Sequence, residues 1–255
     1  MEPQKDKSII VAFTLDFETG GLKCQECACT QIAIHAVRLD TFETIDRYVA
    51  YIAPYCKKPE KLPNKRKVLR SKYDQENSES MLYEEKALAY SAITMDMLEK
   101  HGVDIKQVAS DVIQFIKANT MSKGRSSKPF LIGQNIGFDI GFMQQLMEYG
   151  DQAGEWSKVM RGTTDYYGNF QPTYVDTIIL GQLALSHLDD VTSYKLEILA
   201  ERLGIELDDA HDADADVTAT TNIAMICANR MRNTTGDNSN IAMPNHDKTR
   251  NHFKI

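Results

Sequence analysis

The sequence Ser8-Ile9-Ile10-Val11-Ala12-Phe13-Thr14-Leu15-Asp16-Phe17-Glu18-Thr19-Gly20-Gly21 joins an apolar run to two acids and a glycine pair. Ile, Val, Phe and Thr dominate Ser8 to Phe17, which reads as a strand ended by the glycines. Its near-continuous apolar character predicts a central strand, buried on both faces. Asp16 and Glu18 stand two apart, so the period of a strand puts both carboxylates on one face. The glycines that follow let a ligand approach the backbone closely. Two carboxylates where an apolar strand emerges are costly unless positive charge lies nearby. A divalent cation meets that need, and an all-oxygen donor set favours Mg²⁺ or Mn²⁺ over zinc. The other reading is a solvated strand end with incidental acids.

Outward from this strand, Gln31 to Leu39 and Arg47 to Ala53 read as further strands whose short connections predict antiparallel pairing. Residues 54–82 break the pattern with three prolines and many charges. From Lys57 to Lys72 there are eight Lys and Arg against one Glu, a net of +7, so the other residues carry −14 of the total of −7. Thr94 caps a helix to about Lys100, stopped by Gly102, and Asp104 caps another through Val108, Val112, Phe115 and Ile116. Pro129 to Gln134 is a short buried strand, and Phe138 to Tyr149 a helix ended by Gly150. Residues 151–173 read as irregular. Tyr194 to Leu203 is an amphipathic helix closed by Gly204, and Asp212 to Arg232 a long one. Strands first, then alternating helices and strands, imply an α/β domain with a mixed sheet. The expected division is a domain over 1–232, with a basic insertion at about 55–80, and a mobile polar tail over 233–255.

Two further acidic positions follow from this layout. Asp139 comes just after the second buried strand, at the carboxyl edge where open sheets bind ligands. Taken alone it reads as a helix N-cap. His211 and Asp216 are five apart, about 500° of helix, so His211 fits just before the last helix and Asp216 one turn inside it. Small Ala213 lets that helix approach the sheet. Asp212, Asp214 and Asp216 mimic a calcium loop, but Val217 and Ile223 stand where such a loop needs Gly and Glu. Asp212 and Asp214 are read as acids capping a solvated helix start.

These segments together resemble the DEDDh 3′→5′ exonucleases, the DnaQ-like branch of the ribonuclease H-like fold. Leu15 to Leu22 is similar to the first motif, Asn135 to Asp139 to the second, and His211-x-Ala213-x-x-Asp216 to the third. Val175-Asp176-Thr177 and Leu196 to Ile205 resemble the family's approach to that third motif. The resemblance spans about 8–230 and implies a five-stranded mixed sheet flanked by helices. It implies that Asp16, Glu18, Asp139 and Asp216 hold two Mg²⁺ or Mn²⁺ ions and that His211 is the general base. Two cations neutralise an anionic phosphodiester, and histidine's reference pKa near 6.5 suits proton removal at neutral pH. It further implies contacts of Thr19, Gly20, Leu22, Asn135 and Phe138 with the terminal nucleotides. Gly20-Gly21 and Gln134 depart from the commoner Thr-Gly and His of the family.

The implied substrate is single-stranded nucleic acid with a free 3′ end, DNA ahead of RNA, hydrolysed to nucleoside 5′-monophosphates. A polymerase or another replication or repair protein is the implied partner, and no organic cofactor is expected. The rival from another class is an inactive nucleic-acid- or polymerase-binding module, whose signature would be an altered acidic set; all four acids and the histidine are present. For the basic insertion two readings stand level: a solvated charge run, or an arm in which Lys57, Lys58, Lys65, Arg66, Lys67 and Arg70 grip phosphates. Trp156, Tyr166 and Tyr167 are candidates for base stacking or for core packing. Cys24-x-x-Cys27-x-Cys29 lacks a second pair, so incidental thiols are the preferred reading over zinc. His35 is read as structural.

Composition sets the outer bounds. The chain has 255 residues, 42% hydrophobic and 25% charged, which excludes a collagen-like or wholly disordered protein. A net charge of −7 argues against a generally basic coat protein, though not against an enzyme with a local basic patch. Five cysteines, an odd count, do not form a disulfide framework. With no apolar run of spanning length and no signal-like start, a cytoplasmic location without membrane contact is expected.

Overall fold

The structure, a computed structural model, describes residues 9–58, 79–121, 127–207 and 212–232. Three strands come first: β1 (Val11–Thr19), β2 (Cys29–Arg38) and β3 (Thr44–Tyr51). Helices α1 (Glu85–Tyr90), α2 (Met95–His101) and α3 (Ile105–Asn119) follow. Then come β4 (Phe130–Gly133), α4 (Gly137–Tyr149), α5 (Ala153–Val159), β5 (Gly162–Thr164), β6 (Phe170–Pro172) and β7 (Tyr174–Asp176). The order ends with α6 (Thr177–Leu185), α7 (Leu196–Leu203) and α8 (Ala213–Arg232). The main sheet is five-stranded and mixed, in the order β3-β2-β1-β4-β7. β1, β2 and β3 pair antiparallel, whereas β4 runs parallel to both β1 and β7.

β1 is the centre of the sheet, and its two faces bury different partners. Phe13, Leu15 and Phe17 point into a core with Val108, Val112 and Ile116 of α3 and Phe142, Met143 and Leu146 of α4. Residues of the other parity, Ala12 and Thr14, face α8: Ala12 shares a cluster with Ala224, and Thr221 Oγ1 lies 3.1 Å from Thr14 Oγ1. Small residues set that contact, because Ala33 of β2 packs on Ala213 and Val217. The expectation for Ala213 therefore holds.

Local signals account for several helix ends. Thr94 accepts the Met97 N–H at 3.2 Å and Asp104 the Lys106 N–H at 2.9 Å, as their residue types predict. Gly204 closes α7 with φ of 73°, a left-handed turn suited to glycine. Gly102 also ends α2, but at φ of −67°; its reason is space, since a Cβ there would lie 2.5 Å from the backbone of Ala53.

The reading of 151–173 as irregular is corrected. The segment holds α5 and the β5–β6 hairpin, elements of seven, three and three residues that are too short to display a period. Trp156 of α5 is 2% exposed and stacks edge-on against Phe170 at 5.1 Å, so it belongs to the core. Tyr166 and Tyr167 stand exposed in the hairpin turn. The six-residue α1 had no sequence signal of its own. Among the described residues, no helix is long and apolar enough to cross a membrane.

Candidate active site

The end of β1 carries Asp16 and Glu18 on the face that α8 covers, and α8 brings Asp216 to them. One carboxylate oxygen from each lies within 4.8 Å of the others. The register of β1 against β2 shifts between Glu18 and Thr19, a bulge that bends the strand as it leaves the sheet. The trio sits in a cleft of about 950 Å³, lined also by Thr19, Leu22, Asn135 and Phe138.

The electrostatics are those of carboxylates short of a counter-charge. Burial, reinforced by the Asp216 and Asp212 charges, pushes Asp16 up to about 7. Burial, then Asp16, Asp216 and Asp212, pushes Glu18 up to about 8. Such groups hold protons at neutral pH unless a cation replaces them. Three converging carboxylates with no nitrogen or sulfur donor among them suit a hard divalent ion. The donor set therefore fits the divalent metal that the sequence motifs imply.

Asp139 stands apart from this trio. It is 2% exposed, and the helix that it was expected to cap begins two residues earlier, with Ile136 at the N-cap. Its Oδ1 accepts the Phe17 N–H at 3.1 Å, beyond the last β1–β4 pair of Thr14 with Ile132. The side chain thus takes up a strand N–H that β4 has ceased to pair. Burial first, and Asp16 second, raise its pKa well above the usual carboxylate range.

The turns around the site are held by backbone groups. Gly20 N–H donates to Ala28 O at 2.8 Å, and Gly20 O accepts the Glu84 N–H at 2.7 Å. A Cβ on Gly20 would lie 2.6 Å from Leu82 O, so this glycine serves chain packing rather than ligand approach. Gly20→Ala is expected to cost about 1–3 kcal/mol of stability, read as a lower urea midpoint. Asn135 adopts φ of 53° between β4 and α4, and its N–H donates to Asp176 Oδ1 at 3.1 Å. Asp176 also caps α6 through the Ile178 N–H at 2.9 Å.

Leu22 is 82% exposed at the mouth of the cleft. Phe138 packs on Phe142, with ring centroids 4.9 Å apart. His211 lies outside the described residues, as do Lys65, Arg66, Lys67, Arg70 and the tail 233–255. Lys57 pairs with Glu79 at 2.7 Å and Lys58 with Asp151 at 2.8 Å, so both ammonium groups are engaged within the protein.

The cysteines do not converge on a common point: among the described residues the acidic trio is the group able to hold an ion. Cys29 Sγ meets Gln145 Oε1 at 3.2 Å instead, and Gln145 Nε2 donates to Cys27 O at 2.9 Å. Sequence reading missed this buried glutamine, which ties the loop after the first motif to α4. It also missed Lys86, Tyr90 and Lys195 on the cleft wall, which reach the site from α1 and the segment before α7. Asp212 and Asp214 were assigned to helix capping, but Asp212 meets Gln31 at 3.4 Å and Asp214 meets His35 at 2.5 Å, both on β2.

This arrangement is that of a ribonuclease H-like nuclease domain. Residues 64–224 match the Exonuclease (RNase_T) family, and the chain belongs to it, within the DnaQ-like branch of 3′→5′ exonucleases. The matched range begins after β1, so Asp16 and Glu18 fall outside it and join Asp216 through the fold. E. coli Exonuclease I in complex with a dT13 oligonucleotide has a similar fold, with a TM-score of 0.58 and 20% identity over 88% of this chain and 42% of that one. The zinc-bound form of the E. coli ExoI–ssDNA complex aligns with a TM-score of 0.59, at 20% identity over 88% and 41% of the two chains. The ExoI/SSB-Ct complex aligns at 0.57 and 19% identity over 88% and 42%. The chain thus spans about two fifths of the length of these structures. No curated protein matches it.

Proposed function

We propose that the chain is a metal-dependent exonuclease that removes nucleoside 5′-monophosphates from the 3′ end of single-stranded DNA. The observation that carries this reading is the meeting of Asp16, Glu18 and Asp216 in one cleft, each oxygen within 4.8 Å of the others. Asp16, Glu18 and Asp216, with Asp139 behind them, are the residues that would hold two Mg²⁺ or Mn²⁺ ions. Such ions, when bound, neutralise the phosphodiester and sharpen an attacking water. His211, the residue before Asp212, takes a proton from that water as general base. Thr19 and Asn135 hold the terminal nucleotide from the cleft wall, while Leu22 and Phe138 offer apolar surface to its base. DNA is favoured because the similar folds include oligonucleotide complexes of Exonuclease I. The catalytic unit is read as 1–232, with 233–255 as a tail.

The test is digestion of 3′-labelled and 5′-labelled single-stranded DNA and RNA of one sequence, with Mg²⁺, Mn²⁺ or EDTA. DNA is expected to shorten from its 3′ end only when metal is present. His211→Ala is expected to lower the rate about 10²–10⁴-fold. Intact polymers with binding retained would replace this reading with that of a binding module; faster loss of RNA would reassign the substrate.

A further inference from the structure

Asp214 lies two residues before Asp216 in the first turn of α8, yet it is tied to the sheet. Its Oδ1 is 2.5 Å from Nε2 of His35, and its Oδ2 is 3.4 Å from Nη1 of Arg47. His35 on β2 and Arg47 on β3 are directly paired in register. The His35 side chain is wholly buried, whereas that of Asp214 is one-third exposed. Among the described residues His35 Nδ1 has no hydrogen-bond partner, so there the contact with Asp214 is the one polar tie of a buried ring. Burying an imidazole in mid-strand is costly, and a core built for packing alone would place an apolar residue there.

Two more polar contacts run along the same seam. Gln31 Nε2 meets Asp212 Oδ1 at 3.4 Å, and Thr221 Oγ1 meets Thr14 Oγ1. Beside them Ala33 packs on Ala213 and Val217. Flat contact between small side chains resists neither sliding nor rotation of a helix, whereas directional hydrogen bonds do. We propose that the His35–Asp214 pair sets the height and rotation of α8 on the sheet and so places Asp216 against Asp16 and Glu18. His35 is then a positioning residue for the active site. This inference rests on the reading of Asp216 as a metal ligand.

The test measures Mn²⁺ affinity of the full chain by titration calorimetry at pH 7.5, without substrate, alongside kcat and KM. His35→Leu and Asp214→Ala are each expected to weaken Mn²⁺ binding about 10-fold or more and to lower kcat, with KM little changed. Their double variant is expected to be no weaker than Asp214→Ala alone, because that change already removes the His35 contact. His35→Gln keeps an N–H near the Nε2 position and is expected to stay within about threefold of wild type. His35→Leu retains the Asp214 charge, so its loss of affinity separates position from electrostatics. Should His35→Leu fail to fold, Asp214→Ala, at a partly exposed site, carries the test. Wild-type affinity in folded Asp214→Ala, or a loss there that folded His35→Leu does not share, overturns the inference. Asp216→Ala tells the two failures apart: if it also binds Mn²⁺ normally, the metal-ligand reading itself is wrong.

Discussion

Asp16→Asn is expected to abolish hydrolysis while making the metal-free protein more stable. Activity should fall at least about 10³-fold, equivalent to about 4 kcal/mol of lost transition-state stabilisation. The opposite sign for stability follows from the raised pKa. Asp16 titrates near 7 in the folded chain, against an ordinary value of 3.8. Below pH 4 the residue is protonated in both the folded and the unfolded chain, and it costs nothing. Between about pH 4 and 7 the unfolded chain releases a proton that the folded one retains, so stability falls as pH rises. Above pH 7 the loss is complete. Asparagine does not ionise and escapes it. In EDTA, urea unfolding should therefore give similar stabilities for variant and wild type near pH 4. By pH 8 the variant should lead by about 4 kcal/mol. Equal stabilities at pH 8 would mean that Asp16 is solvated, and the strained acidic cluster would have to be abandoned.

The second large effect is on the metal. Asp16 near 7 and Glu18 near 8 are both partly protonated at neutral pH, and a cation has to displace those protons. Mn²⁺ affinity should rise about 500-fold from pH 6 to pH 8. Calorimetry in two buffers of different ionisation enthalpy should detect net proton release near pH 7. Added metal at 100 times its dissociation constant should stabilise the fold by about 2.7 kcal/mol. That gain offsets the cost of the ionised cluster, so the thermal midpoint in Mn²⁺ should depend less on pH than it does in EDTA. An affinity that is flat across this range, with no protons released, would place the ion away from Asp16 and Glu18.

Much of the site was legible because it rests on local periodicity. Alternation along β1 put Asp16 and Glu18 on one face, and the structure keeps them there. Thr94, Asp104 and Gly204 act within their own helical turn, so their residue types were enough to mark helix ends. Asp139 and Asp214 show where such reading stops. Each looked like a helix-capping acid, and each instead bonds to a strand remote in sequence: Asp139 to Phe17 and Asp214 to His35. α1, α5 and the β5–β6 hairpin escaped because they are too short to show a period.

The sequence by itself determined the central buried strand, its acid pair, the longer helices and, through three ordered motifs, the family. These follow from backbone period and local hydrogen bonding, which act over a few residues. Only the tertiary structure decided that α8 sits on the face of β1 bearing Asp16 and Glu18, and at a height that brings Asp216 within reach. It also decided that a buried histidine, through Asp214, holds that helix there. The physical reason is that seating a helix on a sheet depends on small side chains and polar contacts from strands far apart in the chain, and local sequence encodes no partner for them.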